Sequence, residues 1–260
     1  MLRIKNLYSM ARQNGIIKLK GTIGGITFYK TSDGDLAREK GGIDASRIKN
    51  DPAFQRTREN GAEFGTAGKG GKLVRNAIRI LLQNAKDKRV VSRLTTDLLK
   101  VVKTDSNNER GLRTVQDGDM KMLKGFEFNI NGKLSSTLFT DFVSAFDRVA
   151  GDGSINIGAF SPAVRIAAPA GTTHFKVVTG VAELDFKHEV SVFESDETAI
   201  LPYDNANTAA IALSANITAN STLPVFQVLG IEFYQEVNGQ MYPLKNGAYN
   251  ALSIVEIDTV

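Results

Sequence analysis

VFQVLGIEFYQEVNGQMYPL, residues 225–244, spells out a β-hairpin. Residues 225–236 and 240–244 are runs of strand-forming residues, and Asn238-Gly239 lies between them. An Asn-Gly pair supplies the positive φ angles that a two-residue hairpin turn requires. Outward from this hairpin, similar runs occupy residues 126–130, 142–149, 154–157, 173–184, 189–193, 208–218 and 252–257. Asn131-Gly132 and Asp152-Gly153 repeat the turn signal. These nine runs have the spacing of an antiparallel sandwich, here expected to be Ig-like. Leu138, Phe142 and Phe146 lie four apart, which also suits a helix, and strand is preferred for the later part of that stretch.

The first half reads differently. Residues 16–20 (IIKLK) and 26–30 (ITFYK) alternate apolar and polar around Gly21, Gly24 and Gly25, the pattern of a hairpin. The Ser32-Asp33-Gly34-Asp35 turn and Leu36-Ala37-Arg38 extend it toward a three-stranded meander, and residues 41–50 suggest a loop. Asp51 suits a helix cap, Pro52 the first helical position and Gly61 a stop. Apolar residues from Leu73 to Val102 then recur at helical spacing, with a break at residues 86–88 and an end at Asn107 and Gly111. The expected fold class is therefore α+β: a basic N-terminal β-hairpin plus helices, followed by an antiparallel Ig-like β-sandwich. The domain boundary is placed near residue 125, giving 1–125 and 126–260.

Charge changes at the same place. Residues 1–125 carry 26 Lys+Arg against 13 Asp+Glu, whereas residues 126–260 carry 6 against 15. Such a division suits a basic segment with an anionic partner, or opposed faces that meet in another copy of the chain. Residues 205–231 are free of charge, as a buried or subunit-covered sheet surface would be. The absence of cysteine excludes a disulfide scaffold, Cys-ligated metal and a thiol nucleophile. The opening residues lack the apolar run of a signal peptide, and no later stretch is long enough to span a membrane. A cytoplasmic protein, or a component of a particle or filament assembled from cytoplasmic protein, is expected. Met1 and Met10 both suit a natural start, and with translation from Met1 residues 1–9 are read as an exchange arm.

No catalytic, cofactor or metal constellation emerges. The run GTAGKGGK, residues 65–72, fails as a phosphate loop: Thr66 stands where its first Gly belongs and Leu73 replaces the magnesium-binding hydroxyl. Small residues that let two backbones approach explain it better. His174 and His188 lack the companions of a triad, and no acidic cluster has calcium-loop spacing.

The segments GIIKLKGTIGGITFYKTSDGDLAREKGG and NDPAFQRTRENGAEFG, then AGKGGKLVRNAIRILL and FEFNINGKL, are similar to a family of Bacteroidota and associated-phage proteins without an assigned activity. That resemblance implies a bacterial or phage source and carries over no functional residue.

The favoured expectation is a non-enzymatic subunit of an ordered homo-oligomeric assembly, its basic half meeting the acidic sandwich of a neighbour. Expected contact residues are Ile16, Ile17, Leu19, Ile26, Phe28, Tyr29, Arg38, Arg47, Arg56 and Arg58. An alternative is nucleic-acid binding through Lys69, Lys72, Arg75, Arg79, Lys86, Lys88 and Arg89. A third is a ligand- or carbohydrate-binding sandwich using the loops at Tyr203-Asp204-Asn205 and Asn238-Gly239.

Overall fold

Short strands joined by glycine turns begin the chain in the computed structural model, which describes residues 10–40, 42–43 and 45–259; the arm expected over residues 1–9 lies outside them. Met10–Arg12 (β1), Gly21–Ile23 (β2), Ile26–Thr31 (β3) and Gly34–Glu39 (β4) form an antiparallel sheet in the order β1-β4-β3-β2. Gly24, at φ +58°, turns β2 into β3 so that Ile23 faces Ile26. The meander is present, but residues 16–20 belong to no strand. Gln13 explains the difference. Its side-chain oxygen accepts from the Leu19 amide at 2.8 Å and its Nε2 donates to the Leu36 carbonyl at 3.0 Å, which closes the segment into a loop.

Where a loop is expected, Ala45–Asn50 (α1) is helical. Asp51 does cap the following turn, its carboxylate accepting from the Ala53 amide at 3.0 Å with Pro52 behind it. Gly61 stops nothing: Gln55–Ala77 (α2) runs through it without a break. Arg79–Leu82 (α3) and Val90–Thr104 (α4) follow, separated at the expected break.

Later elements are Leu134–Thr137 (α5), Phe142–Asp147 (β5), Asp152–Ile157 (β6), Pro162–Arg165 (α6), His174–Asp185 (β7), Val190–Glu197 (β8) and Leu201–Pro202 (β9). Ile211–Asn216 (β10), Val225–Val237 (β11), Gln240–Pro243 (β12) and Ala251–Asp258 (β13) complete the chain. Asn238 and Gly239 take φ of 51° and 77° in the β11–β12 turn, as the sequence demands. Residues 126–130 make an isolated bridge, Glu127 to Ser253, instead of a strand. The second Asn-Gly pair makes no hairpin either; a Cβ on Gly132 would overlap the Tyr249 carbonyl, so a close backbone approach sets that glycine.

Three layers result. A six-stranded sheet, β12-β11-β7-β8 with β13 and β9 added, lies between the helices and the three-stranded sheet β10-β6-β5. Val178, Ala182, Phe226 and Val228 pack on the helical side with Leu81, Leu94 and Leu98. Phe175, Val177, Leu229 and Ile231 point the other way, against Ile155, Ile157 and Leu213. Both faces are thus covered over residues 177–184 of β7 and 225–233 of β11, which is why apolar residues there fall on both sides of each strand instead of alternating with polar ones. A bulge opposite Gln227/Val228 lets Ile254 and Ile257 both reach the helical side.

The chain divides into two compact units, Met1–Arg58 and Glu59–Val260, so the boundary expected near residue 125 does not coincide with this division. The helices bury their apolar face on the central sheet and belong with it. The charge-free tract 205–231 is covered in part by its own chain: residues 224–231 are buried, whereas residues 205–210 are largely exposed.

Candidate functional site

Among the described residues of the first unit, none is buried. Ile16 and Ile17 form the tip of the Gln13-closed loop and are 103% and 80% exposed. Leu19, Ile23 and Ile26 are exposed as well, and Phe28 and Tyr29 are half-buried. The pairing places Ile23, Ile26, Phe28 and Ala37 on one face and Met10, Tyr29, Leu36 and Arg38 on the other. The Arg38 guanidinium lies 5.4 Å from the Tyr29 ring centroid, and Arg47 lies 5.7 Å from that of Phe54. Arg47 also pairs with Asp51 at 3.1 Å. Hydrogen bonding from the Ala53 amide, then from Arg47, holds the Asp51 carboxyl below its ordinary value. Arg56 is exposed, but Arg58 turns inward, and its guanidinium donates to the Ile48 and Asp51 carbonyls at 2.8 and 3.0 Å.

The residues considered for nucleic acid separate into two kinds. Lys72, Arg79, Lys86, Lys88 and Arg89 are exposed. Lys69 instead pairs with Glu189 at 3.3 Å across a cleft of ≈ 580 Å³ between α2, the 114–117 loop and the β7–β8 turn. Arg75 is half-buried, and burial lowers its pKa. The glycine run lies inside α2, where it offers no helix N-terminus to a phosphate. Gly70 packs on Val115 and Phe186, and Gly71 on Leu98 and Thr95.

His174 and His188 are apart. His174 Nδ1 lies 2.9 Å from the Thr173 hydroxyl, and His188 Nδ1 lies 2.6 Å from the Asp185 carboxylate. A polar cluster on the helical face of β11, beyond the helices, is one that sequence reading alone does not single out. There the buried Glu232 accepts from Asn84 at 2.8 Å and from the Tyr234 hydroxyl at 2.7 Å. Burial, then Glu232, push the Tyr234 phenol above its ordinary value. The even spacing of Glu232, Tyr234 and Glu236 is its one signal in the sequence. The described residues contain no cluster of three or more His, Cys, Asp or Glu able to hold a metal, and no helix among them is long and apolar enough to cross a membrane.

A second cleft, of ≈ 570 Å³, opens between the β8–β9 side of the central sheet and β10. Leu201, Ile211 and Leu213 give it an apolar lining, and Asp196, Glu197 and Asp204 an acidic rim. Asp196 also accepts from the Ser214 amide of β10 at 3.0 Å, tying the two sheets together at this mouth. Tyr203, expected to serve a ligand loop, donates instead to the Ile166 carbonyl at 3.0 Å.

No protein-family model matches the chain, and no curated protein does. Among solved structures, one concerned with pH-induced modulation of Streptococcus parasanguinis adhesion by Fap1 fimbriae is similar at 10% identity, covering 44% of this chain and 78% of that one, with a TM-score of 0.22. A human F-spondin reeler domain is similar at 11% identity over 48% of this chain and 97% of its own, with a TM-score of 0.18. At these scores neither likeness carries an argument.

Proposed function

We propose that the chain is a non-enzymatic subunit of an ordered homo-oligomeric assembly: a filament, tube, shell or phage-like particle. One observation carries this reading, the four-stranded N-terminal sheet without a buried residue among those described. A short sheet gains its stability from an apolar face covered by another layer. With Ile23 and Ile26 exposed, that cover is assigned to a neighbouring copy. In this reading the paired sheets act as an Ig-like spacer, and assembly draws on cytoplasmic protein. Size-exclusion chromatography with light scattering on the full chain tests it. A large, defined mass with a protein-like 260/280 nm ratio is expected, and a monomer of 28.2 kDa would overturn it.

The exposed cations Lys72, Arg79, Lys86, Lys88 and Arg89 favour nucleic-acid binding as a second reading, because none has a side-chain partner among the described residues. The same run decides it: a high 260 nm signal that is lost as salt is raised is the signature of released counterions.

A further inference from the structure

We propose that the Ile16–Ile17 tip of one copy seats in the β8–β10 cleft of a second copy. The inference rests on the assembly reading and names its contact. The tip is an apolar knob held outward before any partner arrives. Gln13 fixes both ends of its loop, and Lys18 donates to the Gln13 carbonyl as well. Such preorganisation lowers the entropy lost on docking. An isoleucine pair this exposed has no packing role within its own chain.

The cleft has the matching chemistry. Its lining of Leu201, Ile211 and Leu213 accepts branched aliphatic side chains, and small residues at Ala209, Ala210 and Ala212 leave the space open. Charge selects between the candidate partners. Residues 1–32 carry six Lys+Arg and no acid, with Lys18 and Lys20 flanking the tip. Residues 183–204 carry seven Asp+Glu against the one cation Lys187, and three of those acids form the cleft's rim; Lys176 pairs with Glu197 at 2.8 Å, which leaves Asp196 and Asp204 without a cation among the described residues. A nucleic acid would be repelled from that rim, whereas the loop of another copy is drawn to it. Knob and cleft are different surfaces, so the contact is heterologous. Repeated from copy to copy, it closes into a ring or extends as a filament.

Complementation between two variants tests the contact. Ile16→Asn/Ile17→Asn removes the knob and keeps the cleft; Ala210→Trp fills the cleft and keeps the knob. All three positions are exposed, so each variant should melt as wild type does. Ala212→Arg, also exposed and on the cleft wall, is a second blocked-cleft variant. Light scattering should find each variant alone as a monomer, and an equimolar mixture at twice the chain mass and no larger. Two folded variants that stay monomeric when mixed would overturn the pairing. Variants that assemble like wild type would overturn this contact and leave the assembly reading standing. A monomeric wild type would remove both.

Discussion

The two units solve the problem of an apolar sheet in opposite ways. In Glu59–Val260 the central sheet is covered twice, by helices on one face and by β10-β6-β5 on the other. In Met1–Arg58 the described strands keep Ile23 and Ile26 in water. The larger unit therefore carries its stability in its own packing, whereas the smaller has no buried residue among those described, and under the assembly proposal it gains its stability from contact. Substitutions in the two regions should differ in kind: those in the larger unit change melting, and those in the smaller change association.

Truncating the doubly covered sheet should have the largest effect. Phe175→Ala or Leu229→Ala, each 0% exposed, should cost about 3–5 kcal/mol in urea unfolding. Ile23→Ala should stay within about 0.5 kcal/mol for the unassociated chain. A comparable loss at Ile23 in a monomeric sample would break the contrast.

Next comes Asp105, buried after α4, which accepts from the Thr114 amide at 2.9 Å and from Asn108 Nδ2 at 2.8 Å. Burial raises its pKa, but these bonds outweigh it and hold the carboxyl below the ordinary value. The stabilisation is complete above the unfolded value near ~3.9 and fades as pH falls through the lower folded one. Asp105→Ala should cost about 1–3 kcal/mol at neutral pH through its orphaned donors, and it should flatten the acid limb of the stability profile.

Limited proteolysis separates the units without a substitution. In dilute, unassociated protein the first cuts should fall within residues 10–58 and leave a resistant fragment ending at the C-terminus, while assembly should protect the same bonds. The smallest expected change is a gain. Gly65 lies in α2 with open space where a Cβ would be, so Gly65→Ala should stabilise by about 0.5–1 kcal/mol, read as a rise in the unfolding midpoint.

Much of the larger unit is legible in the amino-acid order because its strands carry local marks. Asn238-Gly239 sets one turn, and the runs at β7 and β11 are long and continuous. The partner of the helices is not marked in the same way. Spacing from Leu73 to Val102 shows that an apolar face exists and not what it packs against. The signal that the central sheet lies between two layers is that apolar residues occupy both odd and even positions of β11, and its meaning depends on that second layer. Residues 16–20 mislead for the opposite reason. Their alternation is genuine, but one glutamine seven residues before Lys20 closes the chain before a strand can form. Arg58 reads as an outward contact because charge alone does not disclose the carbonyls of Ile48 and Asp51 that it joins. The cleft at β8–β10 comes from two sheets meeting, and no single segment announces it.

α2 holds five glycines, at 61, 65, 68, 70 and 71, each roughly 1 kcal/mol less favourable in a helix than alanine. As an isolated segment it would be coil. Its helical form therefore depends on the surface that Leu73, Val74 and Ala77 share with α4 and the central sheet, and a cut that frees the segment from them should cost it that form.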